Sequence, residues 1–409
     1  MNQKRVVFVT SFYPFFGKEV WLKDELAAMG VSGCCPVIIP RRYEQEPECY
    51  KINADHEVLN VKMISINIIL NTIFNFLRVF SVQNIRDIHR QSQGLADALK
   101  RLSVLPKAYY LTKLLRKSSI SHVHCYSTTT VATIGIILSR ELGVPFSFTL
   151  HTSSQLTDRC KSSYQEIIRR SQFIRTISHK TKQDLISFFP KLEMDIICVH
   201  LGLVQRKVEK DHNFVNQTPL TITMACVLEP YKDVVTAISV VDLLKVEFPA
   251  LSLQIYGDGS EKLKLEKLTK ERNLLSNIKF MGSVPRDELL TVLESRKGGI
   301  LLLTSNSNDG TEEGIPVVAM EAMRSGVITI ATRNGGIQEL IEENVNGFIV
   351  EQGDVAGIAE KVSEVLNSSI SEREMMGLKA QNTVAQKFNS EINAKEFVRK
   401  LLSFKYVSK

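Results

Sequence analysis

The sequence lacks the cysteine patterns that mark a disulfide framework or a zinc site. It contains no C-x-x-C pair, and its seven cysteines are Cys34, Cys35, Cys49, Cys125, Cys160, Cys198 and Cys226. Their number is odd, and the adjacent Cys34 and Cys35 are poorly placed to pair with each other. Such cysteine usage is typical of a protein that folds in a reducing cytoplasm.

The first residues also do not show the pattern of a secretory signal peptide. Met1–Arg5 runs directly into the apolar Val6–Val9, without an apolar core of about 7–15 residues and a small-residue cleavage site. We therefore expect a cytoplasmic protein. Its 409 residues exceed what one core usually holds, so two domains of about 100–200 residues each are expected.

Negative charge is scarce in the first half of the chain. Residues 1–205 carry 26 Lys and Arg against 16 Asp and Glu, a net charge of +10, whereas residues 206–409 carry 25 against 28, or −3. This asymmetry predicts an N-terminal half that faces membrane phospholipid or nucleic acid, with a merely soluble basic face as the alternative. No recognised nucleic-acid-binding signature accompanies the charge, so we predict an anionic membrane surface and no nucleic-acid partner.

The chain opens with the alternation of a parallel α/β sheet. A strand is predicted over Arg5–Thr10, a helix over Val20–Met29 and a second strand over Cys35–Pro40. The first loop lacks G-x-G-x-x-G, so nothing there supports a dinucleotide site. A second series starts at Leu220–Val227, after the polar stretch 205–219, a predicted linker. Two such series imply two Rossmann-like domains facing each other across a cleft, with ligands at the carboxyl ends of the strands.

The segment Met63–Phe80 is long enough to cross a membrane. It nevertheless carries four polar residues: Asn67, Asn71, Asn75 and Arg78. The three asparagines recur every four residues and form one polar stripe, which predicts an amphipathic helix and not a span. Such a helix lies either on a membrane surface or against its own domain. A second helix with basic and apolar residues is predicted at Lys107–Lys117, and it is also compatible with binding to a membrane surface.

Two carboxylates, Glu313 and Glu321, lie on either side of a Gly-Ile-Pro turn. Proline favours the first position of a helix, so a helix is predicted to begin near Pro316. The free amides at its start, at the positive end of the helix dipole, suit phosphate oxygens. Carboxylates beside such a site repel phosphate, so their expected task is to accept hydrogen bonds from hydroxyls. A sugar nucleotide offers both groups.

The stretch Glu313–Ala322, which reads E-G-I-P-V-V-A-M-E-A, resembles the hallmark of the family 4 retaining glycosyltransferases of the GT-B fold. Further segments resemble landmarks of this family: Gly257–Gly259, Phe280–Gly282, Asn334–Glu339 and Asn346–Phe348. In the N-terminal half, His122–Tyr126 and Phe146–His151 look like bacterial exopolysaccharide and lipopolysaccharide members. The resemblance covers most of the chain and implies an α/β GT-B protein.

The resemblance implies a role for each part of the chain. Residues 1–205 would bind the acceptor, and residues 206–388 would bind the nucleotide-sugar donor. The helix at 389–409 would cross back and pack towards the N-terminal domain. No cofactor is implied, since the UDP- or GDP-sugar donor is a substrate. The acceptor would be a glycan or a lipid-linked glycan.

Three catalytic residues are implied by the resemblance. Glu313 would hold hydroxyls of the donor sugar, Lys232 would neutralise the diphosphate leaving group, and His151 would contact the donor sugar. A cation beside the departing diphosphate stabilises the charge that develops as the glycosidic bond breaks. The resemblance also implies residues that bind the donor. Glu321 would bind the ribose, and Gly282 and Val284 would flank the nucleobase. The diphosphate and sugar would be bound by Gly17, Gly314, Ile315, Pro316 and Val317.

Two departures from the family pattern affect the diphosphate site. The usual G-R-L before the lysine reads C-V-L here, with Val227 in place of the arginine. The usual N-terminal G-G is reduced to F-G at Gly17. Either another cation substitutes, with Arg175 and Arg206 as candidates, or donor binding is weak or lost.

A D-x-D motif is absent from the chain. The divalent-cation route to diphosphate binding therefore lacks its usual ligands, and we predict no metal site and metal-independent turnover. His122 and His124 alternate along a strand, and we expect them to point to opposite faces and to serve a structural role. Asp258, within Gly257–Gly259, is expected in a turn.

The sequence thus predicts a retaining, metal-independent hexosyltransferase of bacterial surface polysaccharide synthesis. It would be cytoplasmic, and peripheral on the inner face of the cell membrane. The alternative, motivated by Val227, is a non-catalytic sugar-nucleotide-binding or scaffold relative in a polysaccharide assembly complex. A sugar-nucleotide epimerase is a third hypothesis.

Overall fold

The computed structural model describes residues 4–13, 21–43, 57–205, 221–308 and 310–404. The chain divides into two compact units. The N-terminal unit comprises Met1–Val204 together with Asn389–Lys409, and the C-terminal unit comprises Gln205–Phe388. Each unit is built on its own parallel sheet.

The sheet of the N-terminal unit is made of β1 (Lys4–Tyr13), β2 (Cys34–Tyr43), β3 (Glu57–Val58), β4 (Ile120–Cys125), β5 (Phe146–Leu150), β6 (Phe173–Thr176) and β7 (Asp195–Cys198). The strand order is β3-β2-β1-β4-β5-β6-β7, and all neighbours pair in parallel. Parallel strands are covered on both faces and read as continuous apolar runs. The run Val6–Val9 in β1 is completely buried, as this requires.

The helices that follow these strands supply the crossovers of the sheet. They are α1 (Trp21–Val31), α2 (Ile66–Phe74), α3 (Phe76–Val79), α4 (Val82–Gln91), α5 (Leu95–Ser103), α6 (Leu105–Leu115), α7 (Thr130–Leu142), α8 (Lys161–Arg170) and α9 (His179–Phe188). The helix α7 is buried on all sides from Thr130 to Ser139. It ends at Gly143, whose φ of 66° is the left-handed conformation that closes a helix and favours glycine.

The C-terminal unit repeats this winding with β8 (Thr221–Ala225), β9 (Ser252–Tyr256), β10 (Ile278–Gly282), β11 (Ile300–Leu303), β12 (Ile328–Thr332) and β13 (Gly347–Val350). The order is β10-β9-β8-β11-β12-β13, again with parallel neighbours. Its helices are α10 (Val234–Leu244), α11 (Lys262–Glu271), α12 (Arg286–Glu294), α13 (Val317–Arg324), α14 (Ile337–Leu340), α15 (Val355–Asn367) and α16 (Ile370–Lys387). The predicted Rossmann-like fold of both units is confirmed.

The last helix, α17 (Ser390–Leu401), belongs to the N-terminal unit, as predicted. Asn389 caps it, accepting hydrogen bonds from the first backbone amides, because Asn is a favourable N-cap residue. Phe397 and Leu401 are fully buried and join the cluster that includes Leu22 and Leu26 of α1. The chain therefore returns to its first sheet after completing the second.

The single helix predicted over Met63–Phe80 is not formed. The chain makes α2 and α3 instead, with a break at Asn75, whose side-chain amide donates to the Asn71 carbonyl at 2.9 Å. Short polar side chains compete in this way with the helical backbone. The segment does pack against its own domain, because α2 and α3 lie against α6, Ile68 and Val79 are buried, and Met63 and Phe80 pack against the core. Most of its other apolar side chains are exposed.

The second membrane candidate, Lys107–Lys117, is mostly a core helix. It corresponds to α6, and its Leu105, Leu111 and Leu115 are buried. Lys107 itself is buried, and its Nζ donates to the carbonyl oxygens of Pro40 at 2.6 Å and of Arg41 at 3.1 Å. Burial, with the charge of Arg41, lowers the pKa of Lys107 to about 8.

Candidate functional site

The candidate site lies at the carboxyl edge of the C-terminal sheet, between β8 and β11. These strands are neighbours in the sheet, although β9 and β10 separate them in the chain. Lys232 follows β8 at the end of a short 3-10 helix, and Glu313 lies in the loop between β11 and α13. Ligands of open parallel sheets bind at this point, where the strand order reverses.

Lys232 and Glu313 form an ion pair that is largely shielded from solvent. Lys232 Nζ donates a hydrogen bond to Glu313 Oε1, and Ser305 Oγ donates to the same oxygen at 3.1 Å. Burial opposes the charge of Lys232, but the carboxylate of Glu313 outweighs it and raises the pKa of Lys232 above its ordinary value. A fixed cation therefore stands at the reversal of the strand order. Both residues were predicted for the site, but their pairing was not.

The backbone around Lys232 is held by the residues that follow β11. Thr304 Oγ1 donates to the carbonyl oxygen of Lys232 at 3.0 Å and to that of Asp233 at 2.9 Å. Asn306 N donates to the Tyr231 carbonyl oxygen at 2.8 Å. The segments that carry Lys232 and Glu313 thus support each other.

The loop that carries Glu313 is fixed by the Asn-Gly-Gly sequence after β12. Asn334 Oδ1 accepts from Glu313 N at 3.1 Å, and Gly336 N donates to the Gly314 carbonyl oxygen at 3.2 Å. Gly335 has a φ of 55°, and a Cβ on it would lie 1.7 Å from the Glu313 carbonyl oxygen. Only glycine fits at this position, which gives the sequence landmark a structural cause.

The Gly-Asp-Gly sequence after β9 also makes close backbone contacts, in this case with the segment before Lys232. A Cβ on Gly257 would lie 1.8 Å from the Cys226 carbonyl oxygen, and Leu228 N donates to the Asp258 carbonyl oxygen at 2.9 Å. Asp258 lies in the loop after β9, and its Oδ1 accepts a hydrogen bond from Gly259 N at 2.8 Å. Val227, at which the sequence departs from the G-R-L pattern, is 46% exposed in this segment.

The helix α13 starts where the sequence predicted it. Pro316 is the N-cap residue and Val317 the first helical residue, with Gly314 and Ile315 leading into this end. Within the described part of the chain, no side chain caps α13. Its first amides and the positive end of its dipole are therefore suited to anionic oxygens.

Glu321, in the second turn of α13, is paired with a residue that the sequence analysis missed. Arg286 Nε donates to Glu321 Oε1 at 2.6 Å, and the Glu321 side chain is 4% exposed. Arg286 is the first residue of α12, where the helix dipole disfavours a cation. The carboxylate of Glu321 offsets this unfavourable position of the guanidinium.

The remaining predicted donor residues have simpler surroundings. Gly282 ends β10 with a φ of 75°, and its carbonyl oxygen accepts from Gly257 N at 2.8 Å. Val284 is half-buried in the loop before α12. Their contact with a nucleobase stays a prediction. Gly17 and Arg206 lie outside the described residues.

His151 of the N-terminal unit follows the end of β5 and is enclosed by aromatic rings. Its ring centroid lies 4.9 Å from that of Trp21 and 6.3 Å from that of Tyr126. Burial, together with the charge of Arg175, lowers the pKa of His151 to about 4. The imidazole is neutral at pH 7, and its contact with a donor sugar stays a prediction.

Arg175 is not available as the missing diphosphate ligand. Its guanidinium is 1% exposed and forms two hydrogen bonds with the carboxylate of Glu25, one of them 3.0 Å long. Tyr126 Oη donates to the same carboxylate at 2.6 Å, and the ring of Phe397 lies 4.3 Å from the guanidinium carbon. The hypothesis that Arg175 replaces the family arginine is wrong, because a buried carboxylate already neutralises it.

His122 and His124 lie on the same face of β4, contrary to the prediction. Side chains two residues apart in a strand share a face, so the sequence interpretation was wrong. His122 Nε2 and His124 Nδ1 each hydrogen-bond Ser147 Oγ at 2.7 Å, and His124 Nε2 bonds Thr149 Oγ1 at 2.8 Å. Both rings are fully buried, and burial lowers the pKa of His122 to about 3. Their expected structural role fits these contacts.

A known protein family matches most of the C-terminal unit. Residues 205–383 match the family described as "Glycosyl transferases group 1". The amylovoran biosynthesis glycosyltransferase AmsK of Erwinia amylovora is 28% identical over 200 residues, 49% of this chain but only 48% of AmsK. WcaL of Escherichia coli, named for colanic acid biosynthesis, is 25% identical over 330 residues, 78% of this chain and 80% of WcaL.

Solved structures show the fold over nearly the whole chain. A glycosyltransferase from Rickettsia africae superimposes with a TM-score of 0.72 at 16% identity, covering 98% of this chain and 99% of that one. HepE from Anabaena in complex with UDP superimposes with a TM-score of 0.69 at 15% identity, covering 98% and 100%. The protein therefore has the GT-B fold, and its residues 205–383 match the glycosyl transferases group 1 family.

Proposed function

We propose that the protein is a retaining glycosyltransferase, which moves a hexosyl unit from a nucleotide diphosphate sugar to a glycan or lipid-linked acceptor. The observation that carries the proposal is the shielded Lys232–Glu313 pair beside the start of α13. A fixed cation and helix amides suit a diphosphate, and a neighbouring carboxylate suits sugar hydroxyls. The decisive experiment is a transfer and hydrolysis assay with UDP- and GDP-sugars.

Each donor-site residue has one role in this proposal. Lys232 balances the charge on the departing diphosphate, and the amides from Gly314 to Val317 bind the diphosphate and sugar oxygens. Glu313 accepts hydrogen bonds from the sugar hydroxyls, and Glu321 accepts them from the ribose. Because Lys232 already contacts Glu313, one cation links the sugar end of the donor to its leaving group.

The anomeric configuration would be retained if the acceptor attacks the anomeric carbon on the same face from which the diphosphate departs. The bond between the anomeric carbon and the diphosphate oxygen breaks, the acceptor oxygen bonds to the same face, and its proton passes to the departing phosphate. The resemblance to retaining family 4 enzymes supports this course. We expect the product to keep the anomeric configuration of the donor, as measured by NMR coupling constants; an inverted product would overturn the mechanism.

The proposed reaction uses no metal ion. The cation at Lys232 and the start of α13 offer positive charge to the diphosphate, and the sequence contains no D-x-D. We expect turnover to persist in EDTA. Complete loss of activity that Mg²⁺ or Mn²⁺ restores would contradict this part of the proposal.

The relatives support a role in bacterial exopolysaccharide synthesis and a nucleotide donor. AmsK and WcaL are named for the biosynthesis of amylovoran and colanic acid, and HepE was solved with UDP. We therefore propose a UDP-sugar, with a GDP-sugar as the alternative. A thermal-shift series with UDP, GDP, ADP and CMP tests this, since a ligand at 100 times its Kd stabilises the protein by about 2.7 kcal/mol.

A second candidate function is a non-catalytic sugar-nucleotide-binding subunit of a polysaccharide assembly complex. The observation that favours it is Val227, which removes the second diphosphate cation of the G-R-L pattern. Arg175 does not replace it, because Glu25 already neutralises its buried guanidinium. Binding of a nucleotide sugar without transfer or hydrolysis would favour this candidate.

The reaction is further proposed to take place in the cytoplasm, at the inner face of the cell membrane. The excess of +10 in residues 1–205 supports this location. The test is fractionation of lysed cells. The protein should sediment with membranes and be released by high salt, and recovery in the soluble fraction at low salt would count against it.

A further inference from the structure

An apolar surface covers α2, α3 and the start of α4 in the N-terminal unit. Large hydrophobic side chains are exposed along the whole of this surface: Ile64, Ile66, Ile69, Leu70, Ile73, Phe74, Phe76, Leu77, Val82 and Ile85. Single exposed hydrophobic residues are ordinary, but a continuous group of this size marks a docking surface. We call residues 64–86 the helical corner.

The helical corner is a firmly built part of the unit. Ser65 caps α2 and Ser81 caps α4, each accepting a hydrogen bond from a backbone amide. Asn84 Nδ2 donates to the Val79 carbonyl oxygen at 2.8 Å and ties α4 to α3. Ile68 and Val79 are buried on the inner side. The outward side chains are therefore exposed because the fold presents them, not because the segment lacks structure.

The corner bends sharply at Asn75. The axis of Ile66–Phe74 and that of Phe76–Gln91 differ by 88°. No single helix in the described ranges is long and apolar enough to cross a membrane, and these two helices meet that test only as a pair. The flanking Phe74 and Leu77 are 83% and 85% exposed. Such a bent, one-sided apolar surface suits shallow insertion at a lipid–water boundary.

Positive charge surrounds the corner. Residues 58–117, all described, carry ten Lys and Arg against two Asp and Glu, and of the ten only Arg101 and Lys107 are buried. Both acids are already paired, Asp87 with Arg140 and Arg170, and Asp97 with Arg101. The exposed cations of this stretch include Lys62, Arg86, Arg90, Lys100, Lys113, Arg116 and Lys117. The surface thus offers cations and no unpaired carboxylate, which complements anionic headgroups.

A second copy of the chain fits this surface less well. Symmetric pairing would place the same patch on both sides of the interface and bring the exposed cations of the two copies together. Juxtaposed like charges disfavour such a complex. Anionic phospholipid instead offers acyl chains for the apolar side chains and phosphates for the surrounding cations.

We propose that the helical corner is the membrane-docking surface of this protein. Its apolar side chains enter the boundary between headgroups and acyl chains, and the surrounding Lys and Arg bind lipid phosphates. The proposal rests on the proposed function in one respect: membrane docking would bring the enzyme to a lipid-linked acceptor. The surface itself is defined by exposure and charge.

Vesicle flotation of the full chain tests the proposal. We would compare vesicles of equal parts phosphatidylcholine and phosphatidylglycerol with vesicles of phosphatidylcholine alone. The test variant is Phe74→Ser with Leu77→Ser. The matched control is Val246→Ser with Leu263→Ser, whose side chains are 83% and 80% exposed in the C-terminal unit. A third variant, Arg86→Gln with Arg90→Gln, tests the cations.

Wild type should bind the anionic vesicles more tightly than the neutral ones. The Phe74/Leu77 variant should bind at least about tenfold more weakly, while the matched control stays within about twofold of wild type. The Arg86/Arg90 variant should lose most of the preference for anionic lipid. Equal binding by wild type and the Phe74/Leu77 variant would overturn the proposal.

Two further measurements separate the other outcomes. Light scattering that shows a dimer for wild type and a monomer for the Phe74/Leu77 variant, with no vesicle binding, would assign the corner to a second copy and overturn the proposal. The UDP thermal shift reports on the C-terminal unit and should be unchanged in the Phe74/Leu77 variant. Vesicle binding without any nucleotide shift would support the docking surface and contradict the proposed function.

Discussion

Lys232 and Glu313 lie 81 residues apart in the chain and form an ion pair in the C-terminal unit. Each residue neutralises the other in a poorly solvated position, so neither charge is left without a partner. A bound diphosphate would compete with Glu313 for the same ammonium group. In the proposed function, the pair would hold the cation in place before the donor binds, and donor binding would redistribute its hydrogen bonds.

Replacing Lys232 by methionine should abolish most of the catalytic activity. The substitution keeps the aliphatic chain but removes the charge beside the leaving group, and kcat should fall by about 100-fold to 1,000-fold. Lys267→Met, at a well-exposed helix position, is the matched control and should leave kcat unchanged. Steady-state kinetics with the donor identified by thermal shift measure the effect. A kcat for Lys232→Met close to that of wild type would remove Lys232 from catalysis.

Replacing Glu321 by alanine should mainly raise the KM for the donor. Loss of a charged acceptor for the ribose hydroxyls costs about 1.5–3 kcal/mol, or roughly tenfold to 100-fold in affinity. The role can be checked with UDP and its 2′-deoxy analogue. Wild type should prefer UDP, and Glu321→Ala should bind the two nucleotides almost equally. An unchanged preference in the variant would exclude Glu321 from the ribose site.

The close approach of Gly335 to Glu313 gives a prediction about the loop. In Gly335→Ala the new Cβ would meet the Glu313 carbonyl oxygen, whereas in Gly353→Ala it would meet nothing within 4 Å. Both glycines have positive φ, of 55° and 75°, so both variants carry a backbone cost of about 1–2 kcal/mol. Only Gly335→Ala should reduce kcat/KM, by at least about tenfold. Equal kinetics in the two variants would show that the contact does not position Glu313.

The local features of the donor site could be predicted from the sequence, but its pairings could not. The Gly-Ile-Pro turn identifies the start of α13 because proline and free amides act within a few residues. The Lys232–Glu313 pair depends on β8 lying beside β11, and this order of strands is not written in any local pattern. Arg286 was missed as well, since its pairing with Glu321 also joins residues that are distant in the chain.

Arg175 shows why strand-end position alone is a poor guide to ligand binding. Its partner, Glu25, lies 150 residues away, and the ring that covers its guanidinium comes from Phe397 in the last helix. The helical corner is a similar case. The sequence showed an amphipathic stripe at Met63–Phe80, but only the packing of the unit reveals that the apolar side chains face outward.

Replacing only one residue of the buried Glu25–Arg175 pair should destabilise the protein. Arg175→Met leaves the Glu25 carboxylate without its counter-ion, and the free energy of unfolding should fall by about 3–5 kcal/mol. Trp21 is the only tryptophan of the chain and contacts Tyr126, so its fluorescence follows urea unfolding of this unit alone. Adding Glu25→Gln to Arg175→Met should recover part of the loss. A double variant less stable than the single one would contradict the pairing.

Acid should destabilise the N-terminal unit through its buried histidines. Burial lowers the pKa of His122 from 6.5 to about 3, so between these values the unfolded chain binds a proton that the folded unit refuses. The free energy of unfolding therefore rises with pH between about 3 and 6.5. As the pH falls below about 6.5, one such histidine lowers the free energy of unfolding by up to about 1.4 kcal/mol per pH unit. His122→Gln can keep a hydrogen bond to Ser147 but does not titrate. Trp21 fluorescence in urea at pH 7, 6 and 5 should show a shallower pH dependence in His122→Gln than in wild type. Identical slopes would mean that His122 does not take part in acid unfolding.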